Sequence, residues 1–234
     1  MNWKEIKVSK DHTQFIYNDK LIFKSFAEVL KFHEPGIAAV SDTSGWYHIN
    51  INGENIYSQR YQRTFGFYQK RAAVVSENNW YHIDVDGKLV YQNKYAFVGN
   101  FQYDRCVIRD FDRHYFYVDT LGKRISKENY KYAGDYKDNY SCVMLANGCY
   151  KHIDKSGNFI YETSFRDLGV YHKGFATAKD ENGWFHIDTE GDGIYSERYA
   201  FVEPFYNGCA LVQKFDGSKV IIDEQGKCVH SLIH

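Results

Sequence analysis

Trp46-Tyr-His-Ile-Asn50, running on into Ile51-Asn-Gly53, is the stretch on which the fold turns. Its residues alternate as a strand does, with Trp46, His48 and Asn50 on one face and Tyr47 and Ile49 on the other. Asn50-Ile-Asn-Gly53 then reads as a hairpin turn, in which an Asx side chain caps backbone N–H groups and Gly takes the position needing positive φ. The pattern recurs. Gln14-Phe-Ile-Tyr-Asn18, Trp80-Tyr-His-Ile-Asp84, Tyr115-Phe-Tyr-Val-Asp119, Tyr150-Lys-His-Ile-Asp154, Trp184-Phe-His-Ile-Asp188 and Lys219-Val-Ile-Ile-Asp223 occupy the same slot, and successive start positions differ by 32, 34, 35, 35, 34 and 35 residues. The turn returns with its glycine at Gly87, Gly122, Gly157, Gly191 and Gly226.

A second ladder keeps the same period. Phe26, Tyr61, Tyr95, Tyr130, Phe165 and Tyr199 are each followed six residues later by Phe32, Phe67, Phe101, Tyr136, Tyr171 and Phe205. Each unit of about 34 residues parses into a short apolar strand such as Gly36-Ile-Ala-Ala-Val40, the aromatic strand, a third strand such as Ile56-Tyr57 or Leu89-Val-Tyr91, and a connector bearing the paired aromatics. The connector can add a fourth short strand. Glu5-Ile-Lys-Val8 fills the first-strand slot ahead of Phe15, so seven units (5-36, 37-71, 72-104, 105-140, 141-174, 175-208 and 209-234) make one β-repeat domain over 1-234. Ala27-Glu-Val-Leu-Lys-Phe32 could pass locally for a helix, but its aromatic spacing is that of five sister connectors.

The expected fold is therefore all-β, seven β-meander repeats leaning on one another. A propeller-like toroid is favoured, because closure removes exposed sheet edges. An open β-solenoid is the alternative, supported by short units and by degenerate first and last repeats.

Composition narrows the function. Lys and Arg total 29 against 30 Asp and Glu, a formal charge of −1, so no strong field draws the chain to nucleic acid or anionic lipid. No stretch approaches the roughly 18 apolar residues that cross a bilayer as a helix, and Met1-Asn-Trp-Lys-Glu5 lacks the character of a secretory leader. Five cysteines without a Cys-x-x-Cys pair, with Cys106, Cys142 and Cys209 placed in slots held elsewhere by Ala38 or Ala72, point to apolar filler and a reducing, cytoplasmic setting.

On these residues the chain resembles the WG-repeat family, whose units combine a Gly-x-Ala-x-Val-like strand, a Trp-Gly-Tyr-Ile-Asp-like strand, an Asp-x-x-Gly turn and a Tyr…Phe connector. The likeness runs over essentially all of the chain. It is divergent, since Tyr47, Tyr81 and Phe185 follow Trp46, Trp80 and Trp184 where that family has Gly. The resemblance implies a bacterial-type β-repeat scaffold used as an interaction module, with no catalytic residues to carry over.

Several residues invite a functional reading beside a structural one. His48, His82, His152 and His186 share one slot, and a histidine column suggests metal. Equivalent residues three strands apart would be roughly 14 Å from each other, too far for shared coordination, which favours histidines bonded to a backbone carbonyl or to a neighbouring Asp. Trp46, Trp80 and Trp184 could be sugar-stacking platforms or core between units. Arg60, Lys94 and Arg198, each preceding a ladder tyrosine, could line a groove for an acidic peptide, or be stems covering apolar surface. Asp84-Val-Asp-Gly87 and Asp188-Thr-Glu-Gly191 resemble calcium loops only at their start and read as turns. No nucleophile elbow, phosphate loop or zinc motif occurs. With no metal or cofactor motif and no long irregular loop, the expectation is a non-enzymatic scaffold for a protein partner, with a lectin-like or small-ligand-binding repeat as the alternative and a carboxylate hydrolase behind both.

Overall fold

The computed structural model describes residues 1–232. Its regular structure is β, and among the described residues the one helical segment is a single 3-10 turn at Trp3–Glu5. No helix is long and apolar enough to cross a membrane.

Seven antiparallel sheets follow one another along the chain. The first comprises Lys7–Val8, Phe15–Tyr17 and Lys20–Ile22; the second Glu28–Val29, Ile37–Asp42 and Gly45–Asn50; the third Arg63–Tyr68, Arg71–Ser76 and Asn79–Asp84. The fourth holds Phe97–Val98, Arg105–Arg109 and Tyr115–Asp119; the fifth Tyr132–Ala133, Ser141–Met144 and Tyr150–Ile153; the sixth Asp167–Leu168, Ala176–Lys179 and Trp184–Ile187. The seventh has four strands, Phe201–Val202, Cys209–Gln213, Lys219–Asp223 and Cys228–Leu232. Spatial order equals chain order in every sheet, so each is a meander.

The two ladders seen in the sequence meet as backbone pairs. Trp46 bridges Tyr61, Trp80 bridges Tyr95, Tyr115 bridges Tyr130, Tyr150 bridges Phe165 and Trp184 bridges Tyr199. At the first of these both hydrogen bonds form, Trp46 N–H to Tyr61 O and Tyr61 N–H to Trp46 O, each 2.9 Å. The free edge of the aromatic strand is thereby closed by one residue of the connector that follows.

Three expectations about the strands change. The connector is no late addition to its own unit; it opens the next sheet, as Phe97–Val98 does by pairing with Ile108 and Arg109. The third strand shrinks to a single bridge in the interior repeats, for example Ile49 with Asn55 and Ile83 with Leu89, and it is a full strand in the first and seventh sheets. Tyr57 and Tyr91 leave the sheet edge there because their side chains are needed inside, as described below. In the first unit, Trp3–Glu5 is a 3-10 turn and the first strand is Lys7–Val8, shorter than the Glu5–Val8 expected. Ala27–Phe32 contains the strand Glu28–Val29 and no helix.

The chain divides into two compact units, Met1–Arg113 with Tyr117–Arg124, and His114–Phe116 with Ile125–His234; the division runs through the strand Tyr115–Asp119. In the first unit the core runs through Phe15, Val29, Phe32, Tyr47, Ile49, Phe67 and Ile83. In the second, one cluster gathers Phe165, Tyr171, Phe185 and Ile187, and another Phe205, Val212 and Ile222. The aromatic strands are covered on both faces, Trp46, Tyr47, His48 and Ile49 all being buried. All five cysteines are free. The register corrects two of the cysteine slots: Cys142 faces His152, the place Ala39 and Ala73 take opposite His48 and His82 and not that of Ala38 or Ala72, and Cys209 faces Asp223 as Arg71 faces Asp84.

Candidate functional site

The histidine column is the most regular polar feature of the molecule. In each case one ring nitrogen meets a tyrosine hydroxyl and the other a backbone carbonyl. His48 Nδ1 pairs with Tyr57 and Nε2 with Phe65 O at 2.8 Å. His82 pairs with Tyr91 at 2.5 Å and Gly99 O at 2.9 Å, His152 with Tyr161 at 2.6 Å and Gly169 O at 2.8 Å, and His186 with Tyr195 at 2.5 Å and Glu203 O at 2.9 Å. A carbonyl only accepts, so Nε2 carries the proton and Nδ1 accepts from the tyrosine. Burial pushes all four histidines down to about 4, so the neutral tautomer is the resident form. Burial raises the four partner tyrosines, which keeps them as O–H donors.

Each imidazole also packs on the second aromatic of the connector, with ring centres 4.7 Å apart for His48 and Phe67, 4.7 Å for His82 and Phe101, 4.3 Å for His152 and Tyr171, and 4.0 Å for His186 and Phe205. The tyrosine ring in turn supports the glycine turn of the next repeat: Gly87 lies on Tyr57, Gly122 on Tyr91, Gly191 on Tyr161 and Gly226 on Tyr195. Gly53 lies on Phe23, and Gly157 on the backbone of Ile125 and Ser126. These glycines have φ between +77° and +83°. A histidine, a tyrosine and the following repeat's glycine thus form one unit of assembly, and nothing of the imidazole faces outward.

The partner tyrosines are what the sequence reading did not single out, although their signal was present: a tyrosine lies nine residues after each of the four histidines. The fourth repeat, where Tyr117 takes the histidine slot, has Ser126 in the tyrosine slot.

The three tryptophans of the aromatic strands are also engaged. The Arg63 guanidinium sits 3.8 Å from the Trp46 ring and makes a two-pronged ion pair with Glu28, both contacts 3.0 Å. Trp80 stacks on Phe65 at 5.3 Å and 18° and meets Phe97 at 5.2 Å. Lys179 lies 5.7 Å from Trp184. The faces a sugar ring would need on Trp46 and Trp80 are therefore occupied by neighbouring side chains.

Arg60 and Arg198 repeat one another. Arg60 lies 3.9 Å from the Tyr47 ring, donates Nε–H to Ser44 Oγ at 3.0 Å, and reaches the carbonyls of Ser58 and Gln59. Arg198 lies 3.6 Å from Phe185, bonds Asp180 at 2.7 Å, and reaches the carbonyls of Ser196 and Glu197. Lys94 is farther from Tyr81, at 5.8 Å. Each arginine covers its strand's second aromatic, and a depression of about 550 Å³ opens beside Arg60, between Thr43, Gln62 and Glu77.

A family model described as a putative cell wall binding repeat matches residues 75–89, the hairpin carrying Trp80 and Gly87. No curated protein matches the chain. Among solved structures the chain is similar to the computationally designed Ika8 protein, at 12% identity and a TM-score of 0.50, over 97% of this chain and 83% of that one. It is similar also to BamB from Moraxella catarrhalis, at 14% identity and a TM-score of 0.47 over 93% and 76% of the two chains, and to the C-terminal WD40 domain of Sif2, at 10% and 0.42 over 89% and 70%. At 12% identity the likeness to the designed protein speaks for the fold alone.

Proposed function

We propose that the chain is a non-enzymatic β-repeat scaffold, a divergent WG-repeat protein that presents its surface to a protein partner in the cytoplasm. One observation carries this reading. The groups best suited to chemistry, four histidines and their tyrosines, spend every ring nitrogen and hydroxyl on bonds inside the protein, the tyrosine bond within a repeat and the carbonyl bond to the following connector, which leaves recognition to the hairpin tips and rims. Those tips carry large apolar side chains, Phe111 at 62% exposure, Phe215 at 67% and Tyr206 at 63%. The five free cysteines, two of them buried in strands, agree with a reducing setting.

Reconstitution tests the proposal: a partner captured with the full chain, then purified, should form a stoichiometric complex that Phe111→Ser or Phe215→Ser weakens. Specific binding on a glycan array, with no reconstituted protein complex, would overturn it. That second outcome belongs to the ligand-binding alternative, which the cell wall binding repeat match over residues 75–89 favours.

A further inference from the structure

Two hairpin turns of the molecule are built alike and differ in what covers them. Asp42-Thr-Ser-Gly45 and Asp180-Glu-Asn-Gly183 each run into a tryptophan, Trp46 and Trp184, and each carries its glycine at positive φ, +119° and +139°. Both glycines lie on the same part of the connector that follows. A Cβ at Gly45 would be 2.9 Å from Tyr61 O and 3.6 Å from Arg60 Cβ; at Gly183 it would be 2.7 Å from Tyr199 O and 3.3 Å from Arg198 Cβ. Gly183 has a further neighbour in Phe215, whose ring end Cζ would be 2.8 Å from the same Cβ. Phe215 stays 67% exposed, so only the end of its ring is seated. Gly45 has no such neighbour, its next contact being Tyr61 C at 3.8 Å, and it borders the depression of about 550 Å³ beside Arg60.

The difference follows from the next hairpin along the chain. In the seventh sheet the tip Phe215-Asp-Gly217 has three residues, with Lys214 N–H donating to Ser218 O at 2.8 Å, and it is long enough to send Phe215 back onto Gly183. In the third sheet Ser76 pairs directly with Asn79, so the tip is Glu77 and Asn78 alone, at φ 51° and 61°. Gln62 Oε1 accepts from Asn78 N–H at 2.8 Å and holds this shorter tip down, where the corresponding connector has Ala200. Glu77 then borders the depression and no ring reaches Gly45. A bare glycine, a carbonyl edge and the stem of an arginine make a flat floor that suits the end of an aromatic ring. At Gly183 the chain supplies that ring itself; at Gly45 the same floor lies open.

We infer that the depression at Gly45 is a docking site for an aromatic side chain carried on an exposed turn of a partner protein, its ring end seated on Gly45 beside the Arg60 stem as that of Phe215 is seated on Gly183 beside Arg198. The inference rests on the scaffold reading and names the kind of residue the partner inserts.

The probe is acetyl-Gln-Lys-Phe-Asp-Gly-Ser-Lys-amide, the sequence of the Phe215 turn, titrated into the full chain and followed by NMR of the backbone amides. It should move the Gly45 and Gln62 signals and leave that of Gly183 in place, because Phe215 already occupies the second site. The same peptide with serine for phenylalanine should bind at least tenfold more weakly. Phe215→Ser should empty the second site, so that the phenylalanine peptide then moves the Gly183 signal as well. An unmoved Gly45 signal, equal affinity for the two peptides, or a Gly183 signal still unmoved in a folded Phe215→Ser chain would each overturn the docking site. Self-association of the native chain that the phenylalanine peptide disperses would give the site to a second copy and overturn its assignment to a partner. None of these outcomes bears on whether a partner complex can be reconstituted through the exposed faces of Phe111 and Phe215, so the two readings fail separately.

Discussion

Tyr91 donates its hydroxyl proton to Nδ1 of His82 at 2.5 Å while the same ring lies beneath Gly122 of the following repeat. One side chain thus satisfies a buried polar atom within its own repeat and shapes the contact with the next. Removing the hydroxyl separates these two roles. Tyr91→Phe keeps the ring against Gly122 and leaves Nδ1 buried without a donor, which costs about 1–3 kcal/mol. Tyr103→Phe, at an exposed turn, should change stability by less than about 0.5 kcal/mol. Urea denaturation of the two variants checks the difference; equal midpoints would mean that the hydroxyl contributes nothing.

The four buried histidines give stability a definite pH dependence. Each titrates at about 4 in the folded chain, against 6.5 when its surroundings are removed. Between these values the unfolded chain binds more protons, so stability falls as pH falls, is complete above 6.5, and has lost its full histidine share once pH drops below about 4. A depression of this size is worth up to about 3 kcal/mol for each histidine. Thermal melting from pH 7.5 to 4.5 should show a steep decline, and His82→Gln with Tyr91→Phe should make the decline shallower while lowering stability at pH 7.5. A flat profile would place the histidines in contact with water.

How much of this was legible beforehand depends on the range of the interaction. The Trp46 and Tyr61 ladders were plain as spacings, and the structure joins them as backbone bridges. The sheet to which a connector belongs was not plain, because Phe97–Val98 or Tyr132–Ala133 is too short to show alternation and its partner strand lies across a turn. Tyr57 and Tyr91 looked like strand residues because they follow Ile56 and Val90. What draws them off the edge is the unsatisfied nitrogen of an imidazole nine residues earlier, a demand that local pattern does not display.

Glycine turns separate backbone strain from packing between repeats. Gly87 has φ +80° and lies on the Tyr57 ring, whereas Gly148 has φ +88° and open space where a Cβ would go. Gly148→Ala should cost about 1 kcal/mol, the strain of a left-handed alanine. Gly87→Ala adds a collision with Tyr57 and should cost at least twice as much, and Gly87→Val more again through its β-branch. Equal losses at Gly87 and Gly148 would show that the turn glycines serve their own hairpins and not the neighbouring repeat.

Arg198 offers the sharpest test of how the exposed face is held. Its guanidinium lies 3.6 Å from the Phe185 ring, with Asp180 at 2.7 Å and side-chain exposures of 25% and 29% for the ion pair. Arg166 and Glu181 are as close, at 2.5 Å, but 61% and 77% exposed. Screening by water reduces the second pair to a few tenths of a kcal/mol, so Arg166→Ala should be nearly silent. Arg198→Ala should cost about 1–2 kcal/mol, because the cation, the aromatic ring and the carbonyls of Ser196 and Glu197 lose a common partner. Arg198→Lys should recover less than half of that, since an ammonium cannot lie flat on the ring and bond Asp180 and two carbonyls together. Urea midpoints of the three variants decide the matter, and full recovery by lysine would reduce the role of Arg198 to its charge.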